Sequence, residues 1–439
     1  MNNAADITAE NSSERAPSNA PAPCEESPFP RRICFLTRNP VFPVVGGVER
    51  ITLNLAELFR AHGRECVFLS EKKSRDAEAN ARNDVFSFPS KFLCLSKCRR
   101  FFERFLREQS IDLVIFQNGG SRKLPFPSVL RAHGVPAISC SHGQPDYYRR
   151  AARSKACGFD SVEIPGAFAK LRLAWRNARQ DRTHRHAFEF NTENSTAYVL
   201  LSKRYIPDFL AYFRDKTAPR CVLDGIGNFS ATDDAGTPDF SQKKRELLFV
   251  GRLEFSHKRP DYLLRIWSRL EARFPAWTLR LVGNGKDETR LRALAETLGL
   301  KRVAFEGFQK NPQEFYRRAA IFCMTSAHEG FPMVLVEAAA AGCVPVAFDS
   351  FAAVRDIIDD GENGAVVPAF DFDAYAETLA KLMSDDVLRE RLARNTPQIC
   401  EKFSPEKIYA RWLDLFRRCR APATVPAESV PAESVPEKP

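Results

Sequence analysis

One segment, MTSAHEGFPMVLVEAAAAGCVPVAFD at residues 324–349, constrains the fold of this chain more than any other. From residue 333 to 341 it is apolar except for Glu337, and Pro332 suits the first position of a helix because its missing N–H would be unpaired there. The run CVPVAF then predicts a short buried strand. A helix that leads into such a strand is typical of an α/β domain with a parallel sheet.

Two carboxylates bracket the start of this helix. Glu329 precedes it and Glu337 lies inside it, with seven residues between them. A carboxylate in an apolar helix is costly unless something binds it. The free N–H groups at the helix start suit a phosphate, Glu329 could reach the group attached to that phosphate, and Glu337 could accept hydrogen bonds from vicinal hydroxyls such as those of a ribose. The pattern indicates a nucleotide-sugar site, and the alternative is a buried helix with incidental acids.

Composition sets outer bounds on the class of protein. A chain of 439 residues predicts more than one domain, and 44% hydrophobic with 27% charged residues is ordinary for a globular protein. We expect no membrane span and no secretion signal, since no apolar run is long enough. Twelve cysteines without paired spacing predict reduced thiols and a cytoplasmic location. The formal charge of +10 keeps anionic surfaces and nucleic acid as candidate partners.

The order of patterns along the chain predicts two domains. Strands and helices alternate in two series, which favours parallel sheets with flanking helices. We predict an α/β fold of two doubly wound, Rossmann-like domains facing a central cleft, where ligands bind in such folds. The predicted segments are a disordered tail at 1–29, a first domain at 30–222, a polar linker at 223–245, a second domain at 246–403, a last helix at 404–420 and a disordered tail with a repeated PAESV at 421–439.

Two further motifs point to phosphate chemistry. GRLEFSHKRPD follows a strand and brings Arg252 and Lys258 to the mouth of the cleft. Fixed cations there would stabilise a departing diphosphate without a metal. Gly46 and Gly47 precede a helix and would allow the backbone to approach phosphates closely. The alternatives are an exposed basic loop and a plain loop before a helix.

A single Asp-x-Asp pair raises the question of a metal. Asp371 and Asp373 follow a strand and precede AYAETLAKLM, where acids cap a helix. We therefore predict capping, no essential metal and no cofactor.

These motifs together closely resemble the donor site of the retaining glycosyltransferases of family 4, which belong to glycosyltransferases group 1 and have the GT-B fold. The resemblance rests on EGFPMVLVEA, AGCVPVAFD, GRLEFSHKRPD and the loop GGVER, and it extends over residues 31–418. This sequence departs from the family at Arg259, where Gly is common, and at Asp356, where Glu is usual.

The resemblance implies roles for particular residues. Arg252 and Lys258 would hold the diphosphate, while Glu329 and His142 would lie at the transferred sugar. The leaving diphosphate itself helps to take the acceptor proton in this family, so we assign no general base. The predicted donor contacts, besides these four residues and the glycines of GGVER, are Gly283, Phe305, Gly307, Gly330, Phe331, Pro332, Met333, Val334 and Glu337.

The expected activity is transfer of a sugar from a UDP- or GDP-linked donor to a hydroxyl of a saccharide or lipid-linked acceptor in cell-surface glycan synthesis, such as polysaccharide or lipopolysaccharide. One alternative is a nucleotide-sugar epimerase of similar fold. Another is a non-catalytic nucleotide-sugar sensor or a nucleic-acid-binding protein, although no nucleic-acid recognition module is visible and we expect no such partner.

Two basic stretches suggest contact with a membrane surface. KCRRFFERFLRE at 97–108 and AFAKLRLAWRNARQDRTHRHAF at 167–188 place Phe and Trp side chains among many cations. Such faces bind anionic headgroups, which would make the protein peripheral on the inner face of the membrane. The alternative is a solvated helix whose apolar side joins the core.

Overall fold

The structure is a computed structural model that describes residues 30–44, 46–149, 167–213, 219–229 and 240–420. The predicted disordered tails, 1–29 and 421–439, lie outside the described residues. The described chain forms two parallel β-sheets with helices on their faces.

The first sheet has seven strands in the order β3-β2-β1-β4-β5-β6-β7, all parallel. Its central strands are almost wholly buried, as the runs ICFLT and LVIF require, because helices cover both faces of a parallel sheet. The strands are β1 Arg32–Thr37, β2 Glu65–Ser70, β3 Val85–Ser87, β4 Leu113–Phe116, β5 Ala137–Cys140, β6 Ala197–Leu200 and β7 Val222–Gly225.

The helices of the first domain connect these strands and cover the sheet. The helix that follows β1 places its apolar residues on one face, against the first sheet. The helices are α1 Gly47–Ala61, α2 Ala77–Ala81, α3 Ser96–Glu108, α4 Pro127–Ala132, α5 Ala167–Asn194 and α6 Ile206–Leu210, with short 3-10 turns at Lys203–Tyr205 and Ala211–Phe213.

The second sheet has six parallel strands in the order β10-β9-β8-β11-β12-β13. They are β8 Lys244–Val250, β9 Thr278–Val282, β10 Val303–Gly307, β11 Ala319–Met324, β12 Val344–Phe348 and β13 Ala365–Val367. The helices of this half are α7 Pro260–Trp267, α8 Glu288–Thr297, α9 Gln313–Arg318, α10 Met333–Ala340, α11 Val354–Ile357, α12 Phe372–Ser384, α13 Asp386–Asn395, α14 Pro397–Lys402 and α15 Pro405–Arg420, and a 3-10 turn, Phe240–Gln242, precedes β8.

The last helix ties the two halves together. Aromatic side chains of α15 surround Phe59 of α1, with ring centroids 6.0, 5.8 and 6.0 Å from Tyr409, Trp412 and Phe416. One continuous apolar cluster therefore includes the first sheet, α10 and α15. This packing fixes the two sheets on either side of the cleft.

Two local expectations were wrong. The ends of the predicted linker, 223–245, belong to the sheets, because Val222–Gly225 pairs with β6 and β8 begins at Lys244. Pro332 lies just before α10, with φ −80° and an extended ψ of 99°, so the helix begins at Met333.

The apolar side of α3 joins the core. Phe102 and Phe105 are buried, and Phe101 packs on the rings of Phe88 and Phe105. For the first basic stretch, the structure therefore agrees with the alternative, a solvated helix whose apolar side joins the core. Only the cations of α3 remain available to contact a membrane.

Candidate active site

A cleft cavity of about 480 Å³ lies between α1 and the carboxyl edge of the second sheet. This is the edge at which ligands bind in open α/β sheets. Both domains contribute to the lining, which includes Arg50, Asn54, Gly251, Arg252, Gly283, Asn284, Phe308, Met333, Val334 and Glu337.

Glu337 lies on α10 at the wall of this cavity and is 8% exposed. The Tyr316 hydroxyl donates to its Oε2 at 3.0 Å, and an Arg50 guanidinium nitrogen lies 3.5 Å from its Oε1. Burial raises the pKa of Glu337, and Tyr316, Arg50 and Lys258 oppose that rise. Because the Arg50 side chain is 61% exposed, it can move aside and leave Oε1 to a ligand hydroxyl.

Glu329 and Lys258 form an ion pair beside the cavity. The Lys258 ammonium donates to Oε1 of Glu329 at 2.7 Å. The Glu329 carbonyl accepts a hydrogen bond from the Tyr205 hydroxyl of the first domain at 2.7 Å. An ammonium has three donors, so Lys258 can hold Glu329 and still bind an anion.

Arg252 reaches the cavity from the loop after β8. Its guanidinium lies 3.1 Å from Oε1 of Glu254, which is also 3.1 Å from Nδ1 of His257. The Glu254 side chain is buried while that of Arg252 is 64% exposed. This arrangement anchors one side of the guanidinium and leaves the rest available to a phosphate.

His142 follows β5 in the first domain and faces Gln117, which follows β4. Their side chains are joined by a 2.5 Å contact between Nε2 and Oε1. Burial lowers the pKa of His142 to about 4, so the imidazole is neutral at physiological pH. Gly330 lies against its backbone, because a Cβ atom there would collide with the His142 carbonyl. The glycine after Glu329 thus lets the two domains approach each other at this point.

Three aromatic rings cross the cleft next to these groups. Tyr147 of the first domain stacks on His328 with ring centroids 3.8 Å apart. His257 lies edge-on to His328 at 4.3 Å. Because His257 precedes Lys258 and His328 precedes Glu329, this cluster bounds the end of the cleft where the ion pair lies.

Two predicted donor contacts, Phe305 and Phe331, pack against other side chains and do not line the cavity. Phe305 packs on the core of the second domain with the Arg292 guanidinium 4.4 Å above its ring, and it does not line the cavity. Phe308, three residues later and 68% exposed, does line it. Phe331 is buried against Phe403, with ring centroids 4.8 Å apart.

The predicted glycines act mainly through the backbone. Gly283 has φ 135°, and a side chain there would collide with Gly251. Its N–H donates to the Gly307 carbonyl at 2.8 Å. Gly46 and Gly47 open α1 without lining the cavity, and the Glu49 carboxylate lies beside Gly46.

Both departures from the family pattern have a structural explanation. Arg259 has φ 49°, a left-handed conformation that favours glycine, and its buried guanidinium pairs with Asp261 at 2.7 Å over the ring of Tyr262. Asp356 accepts hydrogen bonds from Ser202 and, at 2.7 Å, from Arg204. It therefore joins the second domain to the first.

Asp371 caps α12 by accepting a hydrogen bond from the Ala374 N–H at 2.9 Å, as predicted. Asp373 pairs with Arg269 at 2.7 Å. Within the described ranges, no group of three His, Cys, Asp or Glu residues could hold a metal ion. The expectation of a metal-independent site stays a prediction.

Six residues at the site were not predicted from the sequence: Arg50, Gln117, Tyr147, Tyr316, His328 and Phe308. Arg50 had a signal, since it ends the GGVER loop. Tyr316 and Gln117 had none, because each matters only through a partner that the fold brings from another element.

Comparison with known proteins agrees with this architecture. Residues 232–399 match the family model Glycosyl transferases group 1. An uncharacterized glycosyltransferase of Haemophilus influenzae is 31% identical over 171 residues, which is 39% of this chain and 48% of that protein. A Campylobacter jejuni α-1,4-N-acetyl-D-galactosaminyltransferase, whose named substrate is an undecaprenol-linked saccharide, is 28% identical over 42% of this chain and 51% of its own length. The chain spans about half the length of these curated relatives.

Solved structures are similar over a larger share of the chain. Staphylococcus aureus TarM in complex with UDP has a TM-score of 0.65 at 14% identity, covering 88% of this chain and 99% of TarM. Anabaena HepE in complex with UDP has a TM-score of 0.65 at 16% identity, with the same coverage.

The two Rossmann-like domains and the cleft between them define a GT-B fold, as predicted. The match to the glycosyltransferases of group 1 lies in the second domain. This confirms the predicted resemblance at the level of group 1.

Proposed function

We propose that this protein is a retaining glycosyltransferase of family 4 that moves a hexosyl group from a nucleotide-sugar donor to a hydroxyl of a saccharide or lipid-linked acceptor. The observation that carries the proposal is the Lys258–Glu329 ion pair beside the cavity that Arg252 and Glu337 line. Together these four side chains provide fixed cations for a diphosphate and carboxylates for a sugar and a ribose.

The site can assist the reaction electrostatically. The glycosidic bond breaks as negative charge develops on the leaving diphosphate, and fixed cations lower the free energy of that transition state. Arg252 and Lys258 would supply this charge. When phosphate engages Lys258, the Glu329 carboxylate can accept hydrogen bonds from the sugar, and Glu337 can accept them from the ribose. The neutral His142 would contact the sugar near the reaction centre.

The names of similar proteins support the substrate class. One relative is an amylovoran biosynthesis glycosyltransferase of Erwinia amylovora, and the Campylobacter enzyme acts on a lipid-linked saccharide. TarM and HepE were solved with UDP. We therefore propose cell-surface glycan synthesis as the setting and UDP-sugars as the first donors to test, with GDP-sugars second.

A donor panel tests the proposal. UDP- and GDP-linked sugars are scored for thermal stabilisation and for release of free nucleotide, using the wild type, Lys258→Ala and the control Arg265→Ala. Arg265 is exposed on α7, outside the cavity lining. We expect at least one donor to stabilise the wild type and to lose turnover only in Lys258→Ala. Absence of binding and release with every donor contradicts the proposal, and a changed sugar without release identifies the epimerase alternative.

We also propose that the enzyme works in the cytoplasm, at the inner face of the membrane, through the exposed face of α5. Leu171 and Trp175 lie one turn apart on this helix and are 68% and 64% exposed. Arg172, Arg176 and Arg179 are exposed around them. Apolar side chains among cations are suited to an anionic headgroup layer. Within the described part of the chain, no helix is long and apolar enough to cross a membrane.

Vesicle binding tests this location. Each Lys or Arg near an anionic leaflet adds about 1 kcal/mol of attraction, which salt screens. We expect binding to anionic vesicles that weakens as salt rises, and none to neutral ones. Replacing Arg172, Arg176 and Arg179 by Glu should abolish it and leave donor hydrolysis intact. Equal binding to neutral and anionic vesicles, or none to either, contradicts this proposal.

A further inference from the structure

The carboxyl edge of the first sheet carries an excess of positive charge that the donor site does not use. The loops after β1, β2 and β4, residues 38–46, 71–76 and 117–126, contain six cations and two acids. The cations are Arg38, Lys72, Lys73, Arg75, Arg122 and Lys123. Both acids are already engaged, since Glu71 is buried against Arg122 at 2.7 Å and Asp76 caps α2.

Three of these cations remain unneutralised. Arg38, Lys72 and Lys73 are exposed, and no carboxylate of the described residues lies within ion-pair distance of them. The opposite edge of the same sheet differs. There Arg32 pairs with Glu65 at 3.4 Å, and Arg82 pairs with Asp84 at 2.9 Å. Arg38, Lys72 and Lys73 thus form a group of unpaired cations at the edge that faces the cleft.

Hydrogen bonds join these loops to one another. The Lys72 ammonium donates to the Asn39 side chain at 3.0 Å, and the Lys72 N–H donates to the Arg38 carbonyl at 3.3 Å. The Arg38 N–H donates to Asn118 at 2.7 Å. Asn118 follows Gln117, which holds His142. These bonds connect the proposed reaction centre to the cations. The connected residues, called the basic row below, are His142, Gln117, Asn118, Arg38, Asn39 and Lys72.

The cations of the basic row also lie at a distance from the reaction centre that a saccharide can span. β1 and β2 lie two and three strands away from β5, which His142 follows. Since neighbouring strands lie about 4.8 Å apart, Arg38 and Lys72 are placed roughly 10 and 14 Å from the strand of His142. The loop that begins at Arg38 ends at Gly46, where α1 continues to the donor cavity.

We propose that this row binds a phosphate or diphosphate group on the acceptor, so that the acceptor is an anionic glycoside rather than a neutral saccharide. The acceptor hydroxyl then lies near His142 while its anionic group lies on Arg38 and Lys72, and the saccharide spans the distance between them. This inference rests on the proposed function, and it assigns a substrate class to the first domain. A soluble sugar phosphate and a lipid-linked sugar diphosphate present the same chemistry to these side chains.

Inorganic pyrophosphate provides a probe. The protein is first saturated with UDP, which fills the donor site, and pyrophosphate is then titrated by calorimetry. We expect a second binding event that Arg38→Ala and Lys72→Ala each weaken by about tenfold, because each removes a cation that bonds the anion. Arg31→Ala is the matched control, since Arg31 is exposed at the opposite end of β1.

The outcomes separate this inference from the proposed function. Failure of both UDP and GDP to bind contradicts the proposed donor site. If either nucleotide binds and pyrophosphate does not bind the saturated protein, or if Arg31→Ala weakens pyrophosphate as much as Arg38→Ala does, only the anionic acceptor is refuted. Glucose 6-phosphate and a short prenyl diphosphate-linked N-acetylglucosamine, tested as acceptors against methyl glucoside, then show whether the anion belongs to a soluble or a lipid-linked substrate.

Discussion

Glu337→Gln tests the ribose assignment, because it removes the charge from α10 and keeps the size of the side chain. In the structure Tyr316 occupies Oε2, and the exposed side chain of Arg50 faces Oε1, which is the oxygen open to a ligand. A hydrogen bond to a charged acceptor contributes about 1.5–3 kcal/mol. We therefore expect the Kd for the free nucleotide to rise by about 10- to 150-fold.

The same variant should not lose stability. Burial raises the pKa of Glu337 above its usual value, so the folded protein holds this proton more tightly than the unfolded chain does. Such a group contributes stability below its unfolded pKa and loses that contribution as pH rises through the folded pKa. At neutral pH the charged carboxylate is thus the costly form, and Gln should keep or raise Tm. Weaker binding together with unchanged or higher Tm excludes unfolding as the cause.

Calorimetry with free UDP and GDP measures the effect, and Glu329→Gln is the matched control. Glu329 is held by Lys258 and is assigned to the sugar, so this control should bind the free nucleotide within about twofold of wild type and lose turnover of the nucleotide sugar. Equal losses of nucleotide affinity in the two variants would refute the separation of roles between the two carboxylates.

Arg252→Ala and Lys258→Ala should each lower the rate of nucleotide release about 100-fold, because an unneutralised leaving group raises the barrier by about 3 kcal/mol; folded variants with wild-type rates would place the donor elsewhere. The pKa of His142, lowered from 6.5 to about 4, gives a stability contribution that is present above pH 6.5 and lost as pH falls towards 4. In His142→Gln the fall of Tm between pH 6.5 and 4 should therefore be smaller than in the wild type. The difference corresponds to up to about 3 kcal/mol in the free energy of unfolding, and an unchanged pH profile of Tm contradicts this. Tyr147→Ala should lower stability by about 0.5–1.5 kcal/mol through loss of the stack on His328, and Tyr147→Phe should retain it; equal denaturation midpoints of the two variants would show that the stack contributes nothing.

The sequence predicted most of the architecture because the strands of parallel sheets are continuous apolar runs. ICFLT, LVIF and ELLFV each became a buried strand, and EGFPMVLVEA became α10 after a turn. The linker was wrong at both ends for a related reason. Val222–Gly225 is short and contains Asp224, so its membership of the sheet depends on pairing with β6 rather than on its own apolar pattern.

The candidate site was predictable where its chemistry lies within one motif. Lys258 and Glu329 come from two such motifs, and the fold brings them within 2.7 Å of each other. The family resemblance of VAFEGF implied Phe305 as a donor contact. A strand residue that alternates into the core cannot reach the cleft, whereas Phe308 in the following loop lines the cavity.

Apart from Phe308, the site residues that the sequence did not predict share one physical property, which is that their role comes from a partner in a distant element. Glu337 was predicted to need a partner because a bare carboxylate in an apolar helix is unstable. The structure supplies two protein partners, Tyr316 from α9 and Arg50 from α1. Tyr316 is wholly buried and donates to Oε2 at 3.0 Å, whereas Arg50 belongs to the other domain and is largely exposed. A nucleotide that displaces Arg50 would therefore exchange an interdomain ion pair for its own hydrogen bonds, which couples donor binding to the contact between the two domains.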